Sequence, residues 1–255
     1  MPGAEPFHAD GGPIGVVLSH GLSGSPASMR PWGEYLAQQR YTVDVPRLPG
    51  HGTTVAECNR TRWDDWYATV DRSYRQMRER CDIVFVGGLS MGGALAVHLA
   101  QQHPDVAGVM LVNPALGSND LRAKLLLPVM KVLGIKEYPA ISNDIAKEGM
   151  DEVGYDKTPI RALVSFVDHW PMVVRDLHRV TQPTIVFHAP GDNIVDRVTT
   201  DMLKADIGAS DFTYVELPKS QHVATLDHDA EMIFTRSAAF VERVSADHEA
   251  PAAAS

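Results

Sequence analysis

Residues Ile83 to Ala100 read IVFVGGLSMGGALAVHLA. A β-branched and aromatic run passes through GLSMG into an alanine- and leucine-rich segment at helical spacing, which predicts a strand, a sharp turn and a helix with Ser90 at the apex. GxSxG in that setting is a nucleophile elbow, in which the serine takes a strained backbone conformation and its hydroxyl projects from the turn. Glycine is expected at 88 and 92 because a Cβ two residues either side of the serine would collide across the tight turn. An elbow asks the rest of the chain for a base, an acid and a site for an oxyanion.

Outward from the elbow, strand and helix patterns alternate. IGVVLS (Ile14–Ser19) and GVMLVN (Gly108–Asn113) are continuous apolar runs of the kind a central parallel strand needs when both faces are covered. TVDVP (Thr42–Pro46), TIVFHA (Thr184–Ala189) and FTYVEL (Phe212–Leu217) read as further strands. Met29, Trp32, Tyr35 and Leu36 fall at helical spacing, as do Trp63, Trp66, Tyr67, Val70, Tyr74 and Met77, a stripe best read as packing on the sheet. Thr61 with Asp64 fits a capping box for that second helix. Val198–Ile207 reads as helical, and a closing helix over Ala230–Val244 offers Met232, Ile233, Ala239, Phe240 and Val244 to the core. The alternation implies a mostly parallel central sheet flanked by helices.

Between residues 119 and 179 the rhythm breaks into helix-like pieces separated by Gly134, Pro139, Gly149, Gly154, Pro159 and Pro171, with no convincing strand. Such an insertion between sheet strands is expected to be a small helical cap over the site. The expected organisation is therefore a core of residues 1–118 and 180–247, a cap over 119–179 and a disordered tail over 248–255.

A serine hydroxyl needs a positioned base, and the base needs a carboxylate to fix its tautomer. After an elbow serine these follow in the order acid, then histidine. Among 11 histidines, His222 lies in the loop after the last strand, at the carboxyl edge where Ser90 emerges. His188 sits within a strand, His98 and His103 ride the elbow helix, and His228 stands where the closing helix begins. Asp192 follows TIVFHAPG in the turn after the penultimate strand. Its rival Asp196 is expected to cap the next helix, and Asp227 breaks the order. The backbone N–H groups of Met91, next after Ser90, and Leu22, after His20-Gly21, are the expected oxyanion donors.

With these residues placed, the chain resembles the bacterial monoacylglycerol lipases and carboxylesterases of the α/β-hydrolase superfamily. GAEPFHADGGPIGVVLSHGLSGSPASMRP, PRLPGHGT, GLSMGG, EVGYDKTP and HVATLD carry the likeness nearly end to end. It implies an α/β-hydrolase fold, catalytic roles for Ser90, Asp192 and His222, and oxyanion amides at Leu22 and Met91. It adds one residue that composition and spacing did not single out: a cap glutamate in contact with the glycerol moiety, which falls on Glu152. HGLSG departs from the family's HGFTG-like segment, and Leu116–Lys147 is the least familiar region, so chain-length preference is what these put in question. Leu125, Leu126, Leu127, Val129 and Met130 are candidates to meet an acyl chain or to pack the cap onto the core.

The expected activity is cleavage of single-chain esters, monoacylglycerol first and short- or medium-chain carboxylic esters second. An acyltransferase or an inactive binding protein on the same fold is a weaker reading. Neither cofactor nor metal is expected, since the chain has no GxGxxG after its first strand, no P-loop, no HExxH and no CxxC. A formal charge of −9 argues against nucleic acid as a partner. Two cysteines and no visible signal peptide point to a cytoplasmic setting. No run is long and apolar enough for a transmembrane segment, although transient contact of the cap with a lipid surface is compatible with its composition. Monomer and homodimer are both left open.

Overall fold

The apolar runs become the strands of one sheet in the computed structural model, which describes residues 1–118, 127, 129, 130, 132–139 and 143–249. Its strands are β1 (Phe7–Ala9), β2 (Ile14–Ser19), β3 (Thr42–Val45), β4 (Ile83–Leu89), β5 (Gly108–Val112), β8 (Thr184–His188) and β9 (Phe212–Glu216). They lie in the order β1-β3-β2-β4-β5-β8-β9. Every neighbouring pair is parallel except β1 on β3. β1 was not anticipated, because three half-exposed residues in a polar, glycine-rich stretch leave no periodic signal.

Alternate residues of each central strand enter opposite layers, the period-two geometry of a strand. Val17, Val84, Val86, Val109 and Leu111 meet α3 (Trp63–Arg78) and α4 (Met91–Gln102). Val16, Leu18, Phe85, Met110 and Val112 meet α1 (Arg30–Gln38) and α8 (Ala230–Glu249). The aromatic stripe of α3 is thus core: Trp63, Trp66, Val70, Tyr74 and Met77 are buried and Tyr67 partly so. On α8 the core face uses Ile233, Phe240, Val241 and Val244, whereas Ala239, expected inside, is exposed and Val241 takes its place. The helix continues to Glu249, and the remainder of the expected tail, residues 250–255, lies outside the described residues.

The start of α3 also differs from the sequence expectation. Arg62 is the N-cap, and its N–H donates to the Asp65 carboxylate at 2.9 Å. Thr61, one residue upstream, instead donates to the Cys58 carbonyl at 2.8 Å and accepts from Trp66 Nε1 at 3.0 Å. Cys58 ends the short α2 (Val55–Cys58), so Thr61 closes that turn rather than opening the next helix.

The region expected to lack strands contains a small antiparallel ribbon, β6 (Glu137–Pro139) on β7 (Lys157–Pro159). Three-residue strands ending in proline show no alternation, which hid them. Helices α5 (Ile160–Val167) and α6 (Trp170–Arg175) follow before β8, and α7 (Val198–Asp206) links β8 to β9. Asn59 ties this segment to the sheet side, its amide donating to Lys136 O at 2.7 Å and its carbonyl accepting from Arg161 N at 2.9 Å. Because the strands are parallel, the loops after β2, β4, β5, β8 and β9 gather at one edge.

Trp66 joins three pieces of this frame, since its ring is fully buried against His51 and its Nε1 also donates to Pro49 O at 3.1 Å. Trp66→Ala is expected to lower unfolding free energy by about 3–5 kcal/mol, read from a urea titration.

Candidate active site

Ser90 stands between β4 and α4 with φ 56° and ψ −118°, a conformation open to an L-residue only where its surroundings enforce it. Three bonds do so: Ser90 N donates to Val112 O at 3.0 Å, and Ser90 O accepts from Ala94 N and Ala115 N, each at 3.2 Å. A Cβ on Gly88 would lie 2.2 Å from the Gly92 carbonyl carbon, the collision across the turn that the sequence predicts. At Gly92 the obstacle is different, for a Cβ there would lie 2.0 Å from the carbonyl oxygen of Ser19 at the end of β2. The second glycine therefore lets the elbow helix press against the neighbouring strand.

That pressing brings the loop after β2 to Ser90. A Cβ on Gly21 would come within 3.3 Å of Ser90 Cβ, so the Gly21–Leu22 backbone passes directly beside the serine. Met91 is the first residue of α4, where N–H groups have no intrahelical acceptor. Among the described residues, neither the Leu22 nor the Met91 amide donates to another protein group.

Asp192 and His222 meet across the β8 and β9 loops, with His222 Nδ1 and Asp192 Oδ2 2.8 Å apart. The Asp192 side chain is 1 % exposed and that of His222 10 %. Asp192 Oδ1 accepts from Ile194 N at 2.7 Å and Val195 N at 2.8 Å, so among the described residues the carboxylate is satisfied without a lysine or arginine. Burial works against the imidazolium of His222. The hydrogen bond to Asp192 and its charge, helped by Glu152 and Asp144, outweigh that and hold the His222 pKa above its ordinary value.

The rivals have other partners. Asp196 accepts from Val198 N at 2.9 Å at the start of α7 and from Ser118 Oγ at 3.2 Å. His228 is exposed beside Asp227. His188 closes β8, His98 packs on Tyr67, and His103 pairs with Asp71 at 2.6 Å.

Ser90, Leu22, Asp192, His222 and Glu152 line one cavity of about 590 Å³. Its apolar wall includes Leu127, Leu163, Phe166, Val167 and Trp170. Of the other candidate acyl contacts, Val129 is exposed and Met130 buried, while Leu125 and Leu126 lie outside the described residues. Glu152 projects beside the loop after β2, where a Cβ on Gly24 would be 2.9 Å from its Oε2. Burial pushes its carboxyl pKa up, against the Asn143 amide that donates to Oε1 at 3.2 Å and the nearby His222.

The supporting roles of several residues were not legible in the sequence, because most of their partners are distant in the chain. Asn113, with φ 41°, donates from Nδ2 to the carbonyls of His222 at 2.8 Å and Gln221 at 3.2 Å and accepts from Ala189 N at 2.8 Å. Buried Asp144 accepts from the N–H groups of His222 and Asn193, each at 3.1 Å. Tyr155, in EVGYDKTP, donates its hydroxyl to Gly50 O, and its N–H donates to Ser23 O at 2.9 Å. His20 accepts from Leu48 N at 3.2 Å through Nε2, which makes Nδ1 the protonated nitrogen that donates to Gly21 O at 3.0 Å. His20-Gly21 thereby fixes the loop to LPGHGTT by its imidazole. Burial, and then the neighbouring His51, push His20 down to about 3, and burial pushes His51 down to about 4. Among the described residues, no group of three or more His, Cys, Asp or Glu side chains is arranged to hold a metal ion, and Cys58 and Cys81 are free.

A mostly parallel sheet flanked by helices, with a serine elbow after its central strand, defines an α/β-hydrolase. A family model described as serine aminopeptidase, S33 matches residues 14–229. The thermostable monoacylglycerol lipase of Bacillus sp. (strain H-257) is 38 % identical over 244 residues, 94 % of this chain and 95 % of that one. The carboxylesterase of Bacillus subtilis (strain 168) is 26 % identical over 94 % of this chain and 97 % of its own. A solved structure from work on two metagenome-derived lipolytic enzymes, LipS and LipT, superposes with a TM-score of 0.91 at 39 % identity, covering 95 % of this chain and 99 % of that one. The chain belongs to this family of bacterial monoacylglycerol lipases and carboxylesterases, and it is an ester hydrolase.

His222, His20 and His51 are expected to titrate apart. Histidine-ring NMR should find His222 half-protonated above pH 6.5, the ordinary value, while His20 and His51 stay neutral at pH 5.

Proposed function

We propose that the protein hydrolyses monoacylglycerols to fatty acid and glycerol through a Ser90-His222-Asp192 triad. The observation that carries this reading is the 2.8 Å Asp192–His222 pair opening onto the same cavity as the strained Ser90. In this reading His222, held by Asp192 with Nδ1 protonated, presents Nε2 to the serine and takes its proton as Ser90 Oγ attacks the ester carbonyl. The Leu22 and Met91 amides receive the oxyanion, and their lack of other acceptors among the described residues leaves both donors available. His222 then protonates the departing alkoxide, and the acyl group remains on Ser90. A water molecule, deprotonated by His222, attacks that acyl-enzyme and releases the fatty acid, restoring the serine. The steps ask for neither metal nor cofactor.

Residues 119–179 act as a cap in this account, with its apolar wall toward the acyl chain and Glu152 toward the glycerol hydroxyls. Support for the glycerol assignment comes from the place of Glu152 beside the Leu22 loop and its charge effect on His222. The end-to-end similarity to a monoacylglycerol lipase supports it too. Val132 and Leu133, 86 % and 69 % exposed, give the cap an outward apolar edge suited to touching a lipid aggregate. No helix among the described residues is long and apolar enough to cross a membrane. The free cysteines fit a reducing, cytoplasmic location.

Ser90→Ala is expected to reduce kcat on a monoacylglycerol by about 10⁴-fold or more, with an active-site fluorophosphonate no longer labelling the protein. Glu152→Ala should weaken turnover of the glyceride more than that of a p-nitrophenyl ester of matched acyl length; equal losses on both would remove Glu152 from alcohol recognition. The base must be neutral to act, so a raised His222 pKa places the loss of kcat/KM on acidification above pH 6.5. A profile flat down to pH 6 would exclude His222 as the base.

A further inference from the structure

His222 is held through its main chain as well as through its ring. Its carbonyl accepts from Asn113 Nδ2 at 2.8 Å, a side chain at the end of β5. Its N–H donates at 3.1 Å to Asp144 Oδ2, a side chain of the insert. The same oxygen accepts from the N–H of Asn193 at 3.1 Å, and Asp144 Oδ1 accepts from Asn193 Nδ2 at 2.8 Å. Asn193 directly follows Asp192, so one carboxylate, 8 % exposed, grips both loops that form the acid–histidine pair. The carbonyl of Asp144 also accepts from Val223 N at 3.1 Å.

The path continues one residue back. Asn143 N donates to Glu152 Oε1 at 3.2 Å, and Asn143 Oδ1 accepts from Glu152 N at 2.9 Å. Glu152 is therefore joined through Asn143–Asp144 to the main chain of His222.

We propose that Asp144 is a positioning residue that fastens the His222 backbone and the Asp192–Asn193 turn to the insert, making the placement of the base depend on the seating of the Asn143–Glu152 link. The proposal rests on the reading of His222 as the base. Asp144 touches no reacting atom in this account; it acts through His222 and Asn193. An alcohol leaving group that engages Glu152 seats the link that holds the histidine, so contact with the alcohol and placement of the base are coupled. The charged groups acting on the imidazole are the carboxylates of Asp192, Glu152 and Asp144.

The test compares Asp144→Ala and Asp144→Asn with the parent on a monoacylglycerol, with thermal melting recorded for each and His222→Ala alongside. Asparagine keeps one acceptor oxygen for the two main-chain N–H groups and removes the charge, its new amide N–H meeting Asn193 Oδ1 once that side-chain amide turns over; alanine removes both. Asp144→Ala is expected to lower kcat by about 10- to 100-fold with KM within about twofold, since two buried N–H groups lose a charged acceptor. Asp144→Asn should recover most of that kcat while its acid limb moves to lower pH, because one of the three carboxylates favouring the imidazolium has gone. An alanine variant with near-parental kcat, a loss confined to KM, or equal kcat losses in a folded Asp144→Asn would overturn the proposal. Should the alanine variant not fold, Asp144→Asn decides: near-parental kcat with a shifted limb supports the inference, and an unshifted limb overturns it. Full activity in His222→Ala would defeat the triad itself, a failure separable from that of Asp144.

Discussion

The whole site depends on how closely three backbone segments approach at the elbow. Gly88 and Gly92 allow the turn to close on itself and α4 to lie against the carbonyl of Ser19, with no room for a Cβ at either position. Because β2 and α4 touch there, the Gly21–Leu22 backbone ends up beside Ser90. A side chain at either glycine would separate the serine from its neighbours even if every proposed catalytic residue were kept.

The second feature is how negative charge is held. Asp144, Asp192, Asp227 and Asp229 accept main-chain N–H groups, and among the described residues no lysine or arginine forms an ion pair with them. Asp227 alone takes Ala146, Lys147, Gln221 and His228, joining insert to histidine loop at 2.8–2.9 Å. Amide donors fix a carboxylate in direction as well as in charge, which suits a loop that in the proposed reading aims an imidazole.

Much of this was legible in the sequence because the signals were local. Continuous apolar runs marked the parallel strands, the α3 stripe marked a buried face, and GLSMG between strand and helix marked the turn at Ser90. Asp192 and His222 were legible through chain order and position after predicted strands, and the structure brings them together. Asn113, Asp144 and His20 were not, since each acts on a partner remote in the chain and carries no periodicity. β1, β6 and β7 escaped for the opposite reason: three residues are too few for alternation to appear. At Thr61 the capping pattern was right in kind but one residue out of register, because Thr61 was already committed to closing α2.

The two neutral histidines beneath the Leu22 loop have a consequence for the fold as a whole. His20 and His51 are pushed down to about 3 and about 4, against 6.5 for a free imidazole. Below that ordinary value the unfolded chain takes up two protons that the folded chain refuses, so the stability they confer is present above pH 6.5 and is lost as pH falls toward 4. Each contributes a slope of up to about 1.4 kcal/mol per pH unit. His222, raised rather than lowered, contributes in the opposite sense and loses its share only as pH rises through its folded value. The segment that lies beside Ser90, and in the proposed reading brings one oxyanion amide to it, is therefore also a source of acid lability for the whole domain.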